Sequence, residues 1–224
     1  MATIIPHASH QEEEKSYLID FRHKLRDFAE LPEIIEEVAI LMGISNFGVF
    51  VNAPTFSVDV LRLELVSDTG VHLIIVDLPG LISVSENKED VELVDNLVCS
   101  YLENSRMIIL AVVPTSSNID TQGIIQCVYF YDKDGLRTVG IITKPDLINM
   151  GTESRVAQLV KNLDQIKLNL GFFLLKNPIP AQLEEGISHL EWRKIERDFF
   201  LSGPWREQGL DPSRIGIENL RLFL

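Results

Sequence analysis

From Met107 onward the chain alternates short apolar runs with amphipathic stretches of helical length, and this rhythm restricts its fold more than any other feature. The runs Met107–Val113, Thr138–Ile142 and Phe172–Leu175 are almost continuously apolar, as strands buried on both faces must be. Amphipathic stretches from about Asp90 to Leu102, Thr121 to Tyr131 and Glu153 to Leu163 precede or separate them. Buried strands joined through helices pair in parallel. The expected class is therefore α/β, a mostly parallel sheet with helices on both faces. Helices near Leu190–Phe200 and Ser213–Phe223 close the chain.

The leading part reads differently. Ser9 and Glu12 have the form of a capping box, and Leu18, Phe21, Leu25 and Phe28 continue a helical pattern. Pro32 suits the first turn of a second helix through Ile34, Ile35, Val38 and Leu41, which Gly43 would stop. Residues 1–50 are thus expected to be a helical lead-in, and residues 51–224 a domain with an exit helix at about 213–224. Between Val58 and Val66, Leu61, Leu63 and Leu65 alternate with Arg62 and Glu64, a half-exposed strand. Ser67–Gly70 is a turn, and Val71–Val76 is an apolar strand expected to pair with the first as a hairpin.

Charge narrows the partners. Thirty-three acidic residues against twenty basic ones give a net charge of −13 over 224 residues. With the lysines and arginines scattered, nucleic acid is repelled, and so are acidic lipid headgroups. The N-terminus lacks the basic start and long apolar run of a secretory signal, so the expected location is cytoplasmic. Cys99 and Cys127 sit in apolar segments and form no CxxC pair, so both read as buried free thiols. His7, His10, His23, His72 and His189 show no ligand spacing and read as solvated or structural. Glu12–Glu14 suit the positive end of a helix. Trp192, Trp205, Phe199 and Phe200 read as packing the last helices onto the sheet rather than stacking on a ligand. Neither G-x-S-x-G nor G-x-G-x-x-G occurs, which excludes two other chemistries of α/β sheets.

Ligands of open α/β sheets sit beyond the carboxyl ends of the strands. Strand 71–76 is followed by Asp77-Leu78-Pro79-Gly80, strand 138–142 by Thr143-Lys144-Pro145-Asp146, and strand 172–175 by Lys176-Asn177-Pro178. Nucleotide chemistry wants such residues. An aspartate after a buried strand can hold Mg²⁺ through water, and a glycine three positions on lets a backbone N–H approach a terminal phosphate. In Thr-Lys-x-Asp the carboxylate can accept from guanine N1–H and the exocyclic amine, while the lysine stem covers the purine face. Adenine offers an acceptor where guanine offers N1–H, so the aspartate selects guanine.

Each motif alone is weak, because Asp, Pro and Gly favour ordinary turns. Asp120–Gly123 and Asp132–Gly135 also match D-x-x-G, and Asn87-Lys88-Glu89-Asp90 matches N-K-x-D. Those decoys follow no apolar strand. Asp77 and Thr143 do, with room for a helix, a strand and a helix between them. Val76–Gly80, Leu110–Pro114 and Arg137–Asp146 together resemble the GTPase domain of the dynamin superfamily. Gly151-Thr152-Glu153, Phe199-Phe200-Leu201-Ser202 and Gly216–Leu220 also look like that family, most of all its large filamentous-fungal-type members.

The resemblance covers about Phe56–Leu224 and implies a P-loop-NTPase-like sheet, with GTP and Mg²⁺ as cofactors. It implies hydrolysis that drives self-assembly and membrane remodelling. Asp77 would be the water-mediated Mg²⁺ contact and Gly80 the γ-phosphate contact. Thr143, Lys144 and Asp146 would form the guanine site, with Asn177 in the next base-contacting loop. The implied partners are guanine nucleotide and other dynamin-like chains. Organelle membranes or cytoskeleton such as microtubules would be met peripherally, through regions outside these residues.

One departure weighs against activity. The phosphate cradle G-x-x-x-x-G-K-[ST] has no match in this sequence. Gly43–Phe50 has the glycine spacing but places Val49 and Phe50 where Lys and Ser or Thr must stand. Thr55 is the one threonine near enough to suggest a switch residue. The expectation is a G domain incomplete on its N-terminal side, with no assigned catalytic residue and with hydrolysis strongly reduced or absent. The contrasting expectation is a non-catalytic module that docks to intact dynamin-like proteins.

Overall fold

The computed structural model describes residues 1–44, 54–66, 72–82, 88–116, 118–119, 122–149 and 151–224. The chain divides into two compact units, Met1–Val98 and Cys99–Leu224.

The first unit is built on a small antiparallel sheet. Strand β1 (Ala2–Ile5) pairs with β2 (Arg22–His23) on one edge and β3 (Val60–Leu63) on the other. Alternation in β1 turns Ala2 and Ile4 inward, as the period of a strand requires. There they meet Leu18 of helix α1 (Glu12–Ile19) and Ile34 and Val38 of α2 (Leu31–Leu41). Helix α2 ends as the sequence predicts. Gly43 has φ +73°, Gly43 N–H donates to Ile40 O at 3.0 Å and Ile44 N–H to Ala39 O at 2.9 Å. This pair of bonds closes a helix on a left-handed glycine.

Several details of this unit differ from the sequence reading. The leading segment is not helical throughout, since β1 and β2 lie within it. Helix α1 stops at Ile19 rather than near Phe28 because Arg22 and His23 join the ladder with Thr3 and Ala2. In its capping bond Gln11 N–H donates to Glu14 Oε2 at 3.2 Å, two residues beyond the predicted Ser9–Glu12 pair. The strand expected over Val58–Val66 shortens to Val60–Leu63 and pairs with β1 rather than with the following apolar run. Residues 72–80 form neither helix nor strand, and Leu73, Ile74 and Ile75 are largely exposed. An apolar run becomes a strand only where an edge receives it. Val71 and the predicted turn Ser67–Gly70 lie outside the described residues.

The second unit carries the predicted parallel sheet. Strands β4 (Ile109–Pro114), β5 (Thr138–Thr143) and β6 (Phe172–Leu174) lie in the order β4-β5-β6, all parallel. The unit boundary falls within helix α3 (Lys88–Leu102), which leads into β4. Helices α4 (Gly123–Tyr131) and α5 (Glu153–Val160) form the two crossovers. Central β5 is buried along its whole length. On one face Val139 and Ile141 of β5 and Phe173 of β6 pack against Leu220 of the last helix, α9 (Ile217–Phe223). Gly140 and Phe172 pair in register across β5 and β6. Edge strand β4 is one-sided. Ile109, Ala111 and Val113 are buried, while Leu110 and Val112 are exposed.

Two short helices were not foreseen, α6 (Pro180–Glu184) and α8 (Gly203–Glu207), each opened by a proline in its first turn. Between them, α7 (His189–Phe200) starts on Ser188, whose hydroxyl accepts from Glu191 N–H at 3.3 Å. Trp205 of α8 contacts the Phe199 and Phe200 rings of α7, so these rings pack helix on helix where packing onto the sheet was expected. Cys99 and Cys127 are thiols as expected, but half-buried rather than buried. Among the described residues no helix is long and apolar enough to cross a membrane.

Candidate functional site

Because β4, β5 and β6 run parallel, their carboxyl ends open at one edge of the sheet, and the residues that follow them share that edge. Thr143 is the last residue of β5 and is buried, its hydroxyl donating to Val113 O at 3.3 Å. Lys144 comes next, exposed, with φ 57° and ψ 46°. A non-glycine residue in the left-handed region costs about 1–3 kcal/mol and persists only where its surroundings hold it there. Pro145 to Leu147 then make a single 3₁₀ turn that carries Asp146 exposed at the rim. Leu147 N–H donates to Lys144 O at 3.0 Å, closing the turn.

The loop after β6 leaves from the same edge. Leu175 N–H donates to Ile142 O at 2.9 Å and extends the pairing by one residue. Lys176 is buried, its ammonium 4.9 Å from the centre of the Trp192 ring and 5.5 Å from that of Phe199. Aromatic faces attract a cation held this way. Its N–H donates to Glu196 Oε1 at 3.0 Å, while Glu196 Oε2 accepts from Ile217 N–H at 3.1 Å. One buried carboxylate thus ties the β6 loop to the start of α9. Asn177 follows Lys176 and is exposed.

Burial pushes the Glu196 carboxyl above its ordinary value of 4.5, although the bonds from Lys176 and Ile217 oppose the shift. A carboxylate with a raised folded value is disfavoured in its charged form, so its contribution to stability declines as pH rises from the unfolded value through the folded one. Glu196→Gln removes that decline, and its single oxygen can serve only one of the two N–H donors. We expect the variant to be about 1 kcal/mol less stable at neutral pH. Its deficit against the wild type should be larger near pH 4.5 than near pH 7. Urea midpoints of both proteins at the two pH values check this, and an equal deficit at both would contradict it.

A cleft of about 370 Å³ lies beside the β5 loop at this edge. Val113, Thr115, Ile142, Ile148 and Thr152 are among its lining residues, so it is walled by the residues that bracket the Thr143–Leu147 turn.

The predicted residues therefore divide into two groups. Thr143, Lys144, Asp146 and Asn177 share one sheet edge in the second unit. Asp77 and Gly80 belong to the first unit, exposed or nearly so, within the irregular stretch 72–82 rather than behind a buried strand. The decoy Asp132 is structural. Its carboxylate accepts from Thr138 Oγ1 at 2.6 Å and from the N–H groups of Leu136 and Arg137 at 3.0 Å each. The decoys Asn87 and Asp120, and residues 45–50 of the rejected cradle, lie outside the described residues.

Guanine fits what the edge offers, since an exposed carboxylate next to an exposed lysine can accept two N–H bonds and cover a purine face. Mg²⁺ fits less well. Among the described residues no cluster of three or more His, Cys, Asp or Glu side chains could hold a metal ion. Sequence reasoning missed Thr115, whose N–H donates to Thr143 O at 2.8 Å and whose hydroxyl donates to Lys144 O. It is the first polar residue after a buried strand, the same signal that singled out Thr143.

A family model described as the Dynamin family matches residues 3–145, from β1 to the Thr-Lys-Pro turn. Interferon-induced GTP-binding protein Mx2 of Ictalurus punctatus is 26% identical over 204 residues, 90% of this chain and 31% of that protein. Interferon-induced GTP-binding protein Mx1 of Rattus norvegicus is 33% identical over 66% of this chain and 23% of its own length. Interferon-induced GTP-binding protein Mx2 of Homo sapiens is 32% identical over 69% of this chain and 22% of its own. The chain spans less than a third of the length of these curated relatives.

Proposed function

Since the chain belongs to the dynamin family, we propose that it supplies the base-reading part of a guanine-nucleotide site, in a protein whose GTP hydrolysis drives self-assembly and membrane remodelling. Asp146 accepts from guanine N1–H and the exocyclic amine, Lys144 lies over the purine, Thr143 anchors the turn and Asn177 borders the base from the β6 loop. Asp77 contributes the water-mediated contact to Mg²⁺ and Gly80 the γ-phosphate contact. The observation that carries this reading is the shared sheet edge from which the β5 and β6 loops emerge. The printed names of the relatives, GTP-binding proteins all, support the choice of nucleotide.

Hydrolysis by these 224 residues alone is strongly reduced or absent. Each charge-assisted contact to a triphosphate is worth about 1.5–3 kcal/mol, and the sequence holds no G-x-x-x-x-G-K-[ST] cradle to make several of them. Calorimetric titration with GTP and Mg²⁺ is expected to give binding weaker than micromolar, with guanine preferred over adenine in ligand-observed NMR. Asp146→Ala should lower that preference by about tenfold or more, the worth of two such hydrogen bonds. Micromolar or tighter GTP binding would overturn the impairment. An unchanged preference in Asp146→Ala would overturn the base-reading role.

A second reading, docking to intact dynamin-like chains without turnover, draws on the one-sided strand β4 with Leu110 and Val112 exposed. Among the described residues no strand pairs with its outer edge. Co-purification with a full-length dynamin-like protein, unchanged by nucleotide, would favour it.

A further inference from the structure

We propose that Thr115 is the positioning residue of the base-reading turn, holding Lys144 in its left-handed conformation and so setting the direction of the Lys144 stem and the Asp146 carboxylate. This rests on the base-reading role proposed above. The local sequence opposes the observed backbone at Lys144. Lys144 precedes Pro145, and a residue before proline is pushed toward extended backbone. It carries a β-carbon, which makes the left-handed region unfavourable. Yet Lys144 sits at φ 57° and ψ 46°, so contacts outside its own dipeptide must hold it.

Two groups grip the Lys144 carbonyl. Leu147 N–H reaches it from inside the turn at 3.0 Å, and the Thr115 hydroxyl reaches it from the neighbouring strand end. The first bond closes the turn, whose Pro145 is fully buried. The second ties the Lys144 carbonyl itself to the end of the neighbouring strand. Thr115 N–H also donates to Thr143 O at 2.8 Å, continuing the β4–β5 ladder past its last strand pair, Pro114 and Thr143. The hydroxyl is therefore carried on backbone that the sheet immobilises. Thr143 answers from the other side, its own hydroxyl donating to Val113 O at 3.3 Å. In the proposed site Thr115 acts through the Lys144 carbonyl, not on the base.

The test uses the full chain, isotopically labelled, as wild type, Thr115→Val, Thr115→Ala and Thr115→Ser. Valine keeps the volume and the N–H bond but lacks the hydroxyl, alanine guards against misfitting of the valine, and serine restores the donor. The first readout is the Lys144 backbone signature, from its Cα and Cβ shifts and its amide-to-Hα coupling. The second is titration with GDP, with ADP as control. Thr115→Val and Thr115→Ala should move Lys144 toward the extended signature and weaken GDP binding about fivefold to tenfold, the scale of one net hydrogen bond. ADP binding and the melting transition should stay as in the wild type, and Thr115→Ser should recover both readouts. A left-handed Lys144 in the valine and alanine variants would overturn the proposal. If the wild type shows no preference for GDP over ADP, the base-reading role fails, and the Lys144 signature alone then decides the positioning role.

Discussion

Gly140→Ala is expected to unfold the second unit or bring it close to unfolding. Gly140 lies in the middle strand of the sheet, and a β-carbon built there would stand 2.0 Å from Phe172 Cδ1 and 2.4 Å from Cε1. Phe172 cannot withdraw, because it is fully buried with Val139, Ile142 and Leu174 around the same sheet. Overpacking a dense core costs about 1–3 kcal/mol and sometimes more, and here the intruding atom meets a ring rather than a flexible chain end. A loss of about 3 kcal/mol or more is a large share of the 5–15 kcal/mol that holds a typical domain together. Gly80→Ala is the matched control, since its β-carbon would meet nothing within 4 Å. Thermal melts followed by circular dichroism compare the two. A Gly140→Ala transition within a few degrees of the wild type would mean that the β5–β6 packing is looser than described.

Asp132→Ala should be nearly as damaging, for an electrostatic reason. Asp132 caps α4, and its carboxylate gathers the Thr138 hydroxyl and the N–H groups of Leu136 and Arg137, shaping the entry into β5. Arg137 then points its guanidinium back at the carbonyls of Leu102, Asn104, Met107 and Tyr131, which gathers the ends of α3 and α4. Removing the carboxylate leaves three donors without their acceptor and loosens the arginine that depends on this turn. We expect a loss of about 3 kcal/mol, since each buried unsatisfied donor costs about 1–3 kcal/mol and water reaches part of this site.

The same carboxylate gives a pH signature. Burial pushes it up, but the bonds from Thr138, Arg137 and Leu136 outweigh burial and hold it below its ordinary value of 3.8. A depressed folded value means stabilisation that is present above the unfolded value and lost as pH falls through the folded one. Chemical denaturation at pH 7 and again below pH 3.8 should therefore show the deficit of Asp132→Ala shrinking in acid. A deficit that stays constant or grows would show that the carboxylate does not carry the turn.

How much of this was legible beforehand depended on where each residue's partners sit. The strands of the second unit could be read within about two residues, because an apolar run between two helices has one way to bury itself. Thr143, Lys144, Asp146 and Asn177 were legible for the same reason, as the polar residues that end such runs. The first unit was harder. Arg22 and His23 look helical by periodicity and become strand only because the edge of β1 lies beside them. Leu73–Val76 looks like a buried strand, yet β3, its expected partner, is paired with β1. Thr115 and Glu196 matter through bonds to residues far along the chain, and no local pattern announces those. Asp132 was set aside as a decoy, and its role in capping α4 and aligning Arg137 appeared only in three dimensions.

Among the described residues no strand pairs with the outer edge of β4, and this has a consequence for handling. Backbone groups along a solvent-facing strand are adhesive to any extended chain, and sheets without charged or proline gatekeepers there tend to stick edge to edge. Here Leu110 and Val112 add greasy side chains to that seam, with Pro114 the only blunting residue, at its very end. Concentration and company, as much as sequence, then govern whether this domain stays single or aggregates, and the strand at risk is the one that delivers Thr115.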